Sequence, residues 1–278
     1  MNIKYIDTGT LYEGLKGAVV NNSTRISQKN GIPYIEFTPF DEFDWVTLHF
    51  STRDGGVSKG IYSSMNFSFD RGDDYENVYK NYELFLDTMN IKPENCVCTK
   101  QTHTTNVIAV DYNMAGMGLT RARNFDNVDG LVTNEPGLCL ITYFADCVPG
   151  WRGTVADITH ETVQLMNRTY GSKPEDIHTF IGPSICQDCY EVDEAVAEKF
   201  RSAYSQNEIG MILYHTTGDK YQLNLQAANY FNMIHAGIKP DNIGISDICT
   251  SCNSDWLFSH RASHGKRGVL CGFMSICR

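Results

Sequence analysis

The apolar run LCLITYFA (138–145) stops at Asp146-Cys147, and a helical pattern begins only a few residues later, at Gly153. The run follows a turn signal at Asn134–Gly137 and reads as a long buried strand, with DGLV (129–132) as the strand before that turn. Around it, strand-like and helix-like stretches interleave. WVTLHFSTR (45–53) is rich in aromatic and β-branched residues and leads into the turn DGGVSKG. YENVYKNYELFLDTMN (75–90) spaces Val78, Tyr82, Phe85, Leu86 and Met89 as one helical face, with Pro93 beyond its end. CVCTKQTHTTNVIAV (96–110) has apolar ends and a polar middle, which predicts two strands or one bulged strand around His103.

Further along, GTVADITHETVQLMNRTYG (153–171) predicts one helix with Thr154 as its cap and Gly171 as its stop. Strands are expected at 177–185 and 242–250, and helices at 193–204 and 224–237. The class is therefore mixed α/β (α+β), although this pattern leaves the strand order open. No repeat, low-complexity segment or proline-rich linker divides the chain, so one domain is expected.

Of the 278 residues, 42% are hydrophobic, enough for a sizeable core. The formal net charge of −10 offers no broad cationic surface for nucleic acid or an anionic membrane. A small-molecule partner fits better. The start MNIKYIDTGTLYEGL has no basic segment followed by an apolar one, no window reaches the ~20 apolar residues needed to cross a bilayer, and the chain reads as cytoplasmic.

The ten cysteines are diluted over a long chain without a secretory signal and are expected to be reduced. Cys186/Cys189 and Cys249/Cys252 have CxxC spacing, which lets two sulfurs reach one tetrahedral ion. However, ICQDCYEV and ICTSCNSDW lack a glycine-rich knuckle, and each first cysteine sits in an apolar run, which favours ordinary buried thiols.

His103, in KQTHTT, is flanked by hydroxyls and an amide and suits metal ligation or proton transfer; the plain alternative is an exposed loop histidine. Cys147 ends an apolar strand beside Asp146, where ligands gather in α/β sheets, so its thiolate is a candidate nucleophile or soft ligand, or else an inert buried thiol. Arg53, before the paired glycines, and Arg152, in GWRGT at a helix start, are candidate anion clamps. SDWLFSHRASHGKRG (254–268) adds His260, Arg261, His264, Lys266 and Arg267, either a solvated loop or an anion-binding wall. No phosphate loop, dinucleotide fingerprint, HExxH or GxSxG is present.

The stretches TRDGGVSKGIYSSMN, GDDYENVYKN, KQTHTTNV, DGLVTNEPGLCL, ADCVP, GWRGT, IGPSICQDCYEV, AGIKPDNI and CTSCNSDWLFSHRA occur in an order that resembles the YfiH-like family. This is also called the laccase-domain or multicopper polyphenol oxidase family, and its bacterial members carry labels such as purine nucleoside phosphorylase and peptidoglycan editing factor. The resemblance covers residues 45–278, with 1–44 as an N-terminal extension packed on the domain. It implies one compact domain of mixed sheets flanked by helices, and a metal site, usually zinc, made by two histidines and a cysteine. His103 and Cys147 match the first histidine and the cysteine.

The implied activity is phosphorolysis of adenosine, inosine, guanosine or methylthioadenosine, with phosphate as co-substrate, and deamination of adenosine. Arg53, Arg152 and Arg261 are the candidate phosphate-binding residues, and Arg53 joins His103 and Cys147 as a catalytic candidate. A copper-dependent phenol oxidase is the alternative, although eight histidines without a His-x-His pair make several copper sites hard to assemble. A monomer or small homo-oligomer is expected.

One departure stands out. In the family, a further apolar strand ending in His-x-Gly-Trp-Arg-Gly follows Ala-Asp-Cys-x-Pro; here Pro149 abuts Gly150-Trp151-Arg152-Gly153 directly, and Val148 stands where the second histidine belongs. Losing that strand should bare neighbouring strand edges and apolar faces, a deficit of several kcal/mol at roughly 25 cal/mol per Å². Losing the histidine leaves two ligands, with His160 a distant substitute on the following helix. A catalytically inactive binding protein or defective gene product is thus a third reading.

Overall fold

The computed structural model describes residues 3–6, 15, 17–146 and 149–277. In chain order they form β1 (Thr24–Lys29), β2 (Ile32–Phe37), β3 (Val46–Ser51), α1 (Tyr75–Met89), β4 (Cys96–Cys98), β5 (Val107–Ala109), β6 (Gly130–Val132) and β7 (Cys139–Phe144). There follow α2 (Gly150–Val155), α3 (Ile158–Tyr170), β8 (Thr179–Ile181), β9 (Glu191–Asp193), α4 (Glu194–Ala203), α5 (Gln206–Ile212), β10 (Leu213–His215), β11 (Lys220–Leu223), α6 (Leu225–His235), β12 (Ile243–Ile245) and β13 (Leu270–Ile276).

The main sheet runs β1-β2-β3-β13-β7-β4, antiparallel except for the parallel pair β7–β4. Successive side chains alternate between its faces. On β2, Ile32 and Tyr34 face one core and Ile35 and Phe37 the other; on β13, Cys271 and Phe273 face the first and Leu270 the second. The first core takes the apolar side of α1, with Phe67, Tyr82, Phe85 and Phe273 in edge or stacked contact. The second holds Phe50, Leu257 and Phe258. Residues 24–37, within the N-terminal segment, supply the outer hairpin of this sheet.

The rest of the chain builds around α6, in which every residue from Leu225 to Asn232 is buried, as expected of a helix covered on all sides. The parallel pair β8–β12 lies beside it. β12 is fully buried and also bridged by Val19, whereas all three residues of β8 are half-buried and β12 is its sole strand partner among the described residues. β7 is paired on both sides, by β13 and β4. Trp151 packs instead on the core around α6.

The single helix expected over 153–171 is two helices. Thr154 is not a cap: it lies within α2, its hydroxyl donating to the Gly150 carbonyl at 2.9 Å. The chain breaks at Asp157, which takes a left-handed φ of +57° and caps α3, its carboxylate accepting the His160 N–H at 3.1 Å. Gly171, at φ +72°, ends α3 as expected. No helix among the described residues is long and apolar enough to cross a membrane.

Candidate active site

A cavity of about 720 Å³ opens at the carboxyl ends of the parallel pair β4 and β7. Gln101, just past β4, locks the end of β7 by mimicking a strand neighbour: its Oε1 accepts the Tyr143 N–H at 3.0 Å and its Nε2 donates to the Tyr143 carbonyl at 3.3 Å. Two residues on, His103 lines the cavity from an exposed loop, with φ +63°.

That loop is shaped by Asp129, which precedes β6 and is buried. Its carboxylate accepts the backbone N–H groups of Thr102 (3.2 Å), His103 (2.7 Å) and Thr104 (3.0 Å), and the Thr104 hydroxyl (2.7 Å). Three converging amides on one carboxylate explain how a non-glycine residue is held in the left-handed region. The first turn of α2 lies close to the His103 ring, since a β-carbon on Gly150 would be 3.8 Å from His103 Nδ1.

Asp146 is a buried hub at the end of β7, with φ +77°. Its carboxylate accepts the Thr250 hydroxyl (3.2 Å) and the Arg261 N–H (2.7 Å), and its carbonyl accepts the Ile185 N–H (2.7 Å). Cys147 lies outside the described residues.

The three arginines singled out from the sequence have other contacts. Arg53 Nε donates to the Ser63 carbonyl (2.9 Å) and Nη1 to the Ser254 carbonyl (2.8 Å), with its guanidinium 4.8 Å from the Phe258 ring centre. Two amides of the following turn are used internally, Gly56 donating to Ser64 Oγ and Val57 to Asn81 Oδ1. Arg152 folds over Trp151 at 4.3 Å. Arg261 donates to the Glu191 carbonyl at 2.9 Å and lies 5.4 Å from the Tyr190 ring centre. None of the three lines the cavity.

The cavity wall is cationic through other residues: Arg71, Lys100, Arg123, Lys266 and Arg267 stand against the carboxylate Asp70, which pairs with Lys100 at 3.0 Å. Arg267 is the unusual member. It is only 7% exposed, Nη1 donates to the Gly268 carbonyl, and Nε is buried with no hydrogen-bond partner. Burial, reinforced by the nearby Arg71 charge, pushes its acidity constant down to about 10. With Arg71 it brings two guanidiniums to the lining of the cavity, a group whose planar donors suit an anion. Sequence reading had placed Arg267 only in a basic cluster of undecided role, and it missed Asp129 and Arg71; burial, the deciding property, has no local sequence signal.

No set of three ligating side chains that includes His103 forms among the described residues, and His160 is exposed on α3. The described residues therefore do not make up the zinc centre implied by the family pattern. The one such group among them is Cys186, Cys189, Cys249 and Cys252, whose sulfurs all lie within 4.8 Å of one another and could hold one ion. Cys186 and Cys249 are buried thiols as expected, and the parallel pair β8–β12 brings their two CxxC segments together.

The family model described as multi-copper polyphenol oxidoreductase laccase matches residues 47–149 and 150–277, its two segments meeting at the Pro149–Gly150 junction. The chain belongs to this family. Within it, a Bacteroides thetaiotaomicron protein named purine nucleoside phosphorylase is 35% identical over 246 residues, covering 81% of this chain and 90% of that one. Adenosine deaminase RL5, from an unknown prokaryotic organism, is 31% identical over 76% of this chain and 87% of its own length. The crystal structure of the Bacillus licheniformis hypothetical protein YfiH aligns with a TM-score of 0.85 at 29% identity, covering 92% of this chain and 99% of that one. The family's mixed α/β architecture is thus the architecture of this chain.

Proposed function

We propose that the chain cleaves purine nucleosides by phosphorolysis in the cavity beside His103, with phosphate seated at Arg267 and Arg71. The observation that carries this reading is the pairing of Arg71 with the nine-tenths buried Arg267 in the lining of a nucleoside-sized cavity that His103 also lines. The relatives' names supply the substrate class: purine nucleoside phosphorylases and an adenosine deaminase.

Phosphate held by the two guanidiniums presents an oxygen to the anomeric carbon of the ribose. The new C–O bond forms as the C–N glycosidic bond breaks, and the bonding pair leaves with the purine nitrogen. His103, the imidazole lining the cavity, delivers the proton that nitrogen takes up. Asp129 is a positioning residue, because it touches the His103 loop and not the reacting atoms. Tyr62, Phe69 and Phe144 supply aromatic surface for the base. Cys147, which with His103 matches the family's metal ligands, lies outside the described residues, and the steps above are those of the chain's own described side chains.

Steady-state kinetics with adenosine and inorganic phosphate test the assignment. Arg267→Met should raise the phosphate KM by about 10–100-fold, from the ~1.5–3 kcal/mol of a charged hydrogen bond. His103→Ala should lower kcat. Arg152→Ala should change neither, since that side chain is folded over Trp151. An unchanged phosphate KM in Arg267→Met would place the anion elsewhere. Phosphate-independent inosine from the native chain would instead support deamination.

A further inference from the structure

We infer that Cys186, Cys189, Cys249 and Cys252 form a structural site for one tetrahedral zinc ion, separate from the cavity and independent of the function proposed for it. Four sulfurs around Zn²⁺ at ~2.3 Å must stand ~3.8 Å apart. The Sγ atoms of Cys189 and Cys252 are 3.5 Å apart, and all four lie within 4.8 Å. A disulfide needs ~2.05 Å. The spacing is that of ligands sharing an ion.

The backbone around the sulfurs is also arranged for thiolates. Cys249 Sγ accepts the N–H groups of Cys186 (3.2 Å) and Cys252 (3.4 Å), one from each CxxC segment. The Cys252 bond, from the residue three positions on, turns the chain so that both sulfurs of that pair face the same point. The segments themselves are fixed together: Ser184 bridges Cys249 in parallel, and the Thr250 N–H donates to the Ser184 carbonyl at 3.1 Å. Cys186 and Cys249 are buried while Cys252 is exposed, which leaves an entry path for the ion from solvent. Four thiolates fill the tetrahedron and leave no open position, so the ion is structural and not catalytic.

The site's placement gives it a purpose. Ile185 and Thr250, each adjacent to a ligand, donate to Asp146 at the end of β7. An ion joining residues 186–189 to 249–252 therefore secures the two segments on which the cavity's floor strand ends, near the place where the family's extra strand is absent.

Metal analysis of the full-length chain purified under reducing conditions tests the site. The expected result is one zinc per chain, retained in His103→Ala and lost in the double variant Cys189→Ser/Cys252→Ser. Should that variant fail to fold, cobalt exchange into the native chain replaces it: tetrahedral thiolate coordination gives strong visible bands and sulfur-to-cobalt charge transfer in the near ultraviolet. Zinc lost in His103→Ala but kept in the cysteine variant would overturn the proposal. So would a native chain that takes up neither metal, or one whose four cysteines are found by mass spectrometry as two disulfides under the same conditions.

Discussion

Replacing Arg267 with methionine should make the protein more stable while crippling its use of phosphate. In the fold, the guanidinium is nine-tenths buried, its Nε has no partner, and its acidity constant falls to about 10 because burial and Arg71 both oppose the charge. In the unfolded chain the same group keeps its ordinary, higher value. At ~1.4 kcal/mol per tenfold change, keeping the charge costs the fold on the order of 3 kcal/mol. Since the folded-state value is the lower one, this cost is fully present at pH 7 and fades only as pH rises past about 10.

Methionine is unbranched and has no charge to desolvate, so Arg267→Met should raise the thermal midpoint in phosphate-free buffer by about 6–12 °C, at ~2–4 °C per kcal/mol for a chain of this size. Phosphate at a hundred times its Kd should stabilise the native protein by ~2.7 kcal/mol through linkage and leave the variant unmoved. Scanning calorimetry with and without phosphate reads both effects. A variant that melts lower than the native protein without phosphate, or that phosphate stabilises equally, would refute the reasoning.

His49, stacked on Tyr34 at 4.0 Å, is held down to about 4 by burial, so it is neutral in the fold; stability should fall as pH drops from ~6.5 toward 4, by roughly 3 kcal/mol in all. Urea melts across that range should show this slope flattened in His49→Phe. Asp129→Ala should lower kcat at least ~10-fold while leaving the phosphate KM near native, because it releases the His103 loop but not the cationic wall; the cost in stability should be about 2 kcal/mol. Gly56→Ala should destabilise by about 2–4 kcal/mol in chemical denaturation, since its β-carbon would collide with the Ser64 carbonyl and lie 2.6 Å from the Met65 Cα.

Much of the scaffold was readable because burial patterns are local. The helical stripe of α1 and the apolar run of β7 appear in the structure where their periodicity put them. The elements missed include β1, β2 and the central strand β13 of the main sheet, as well as β9, α5 and the β10–β11 hairpin, although Ser205 and Glu208 carried the capping-box signal for α5. The break at Asp157 was hidden because a helical apolar pattern continues across it, and only its left-handed φ shows it.

The site was less legible for a different reason. Arg53, Arg152, Arg261 and Arg267 are alike as letters in polar loops, and only the fold decides which of them lines the cavity. Similarly, CxxC spacing is visible locally, but two pairs separated by sixty-odd residues meet only because β8 and β12 run side by side. Asp129 reads as an ordinary turn residue until three amides are seen to converge on it.

The most direct test of the central claim is product identification by chromatography and mass spectrometry after incubating the purified chain with adenosine, with and without phosphate. Adenine and ribose 1-phosphate formed only with phosphate, and lost in His103→Ala, are the predicted result. Folded protein that yields neither product under any phosphate concentration would contradict the account and leave a nucleoside-binding protein without catalysis.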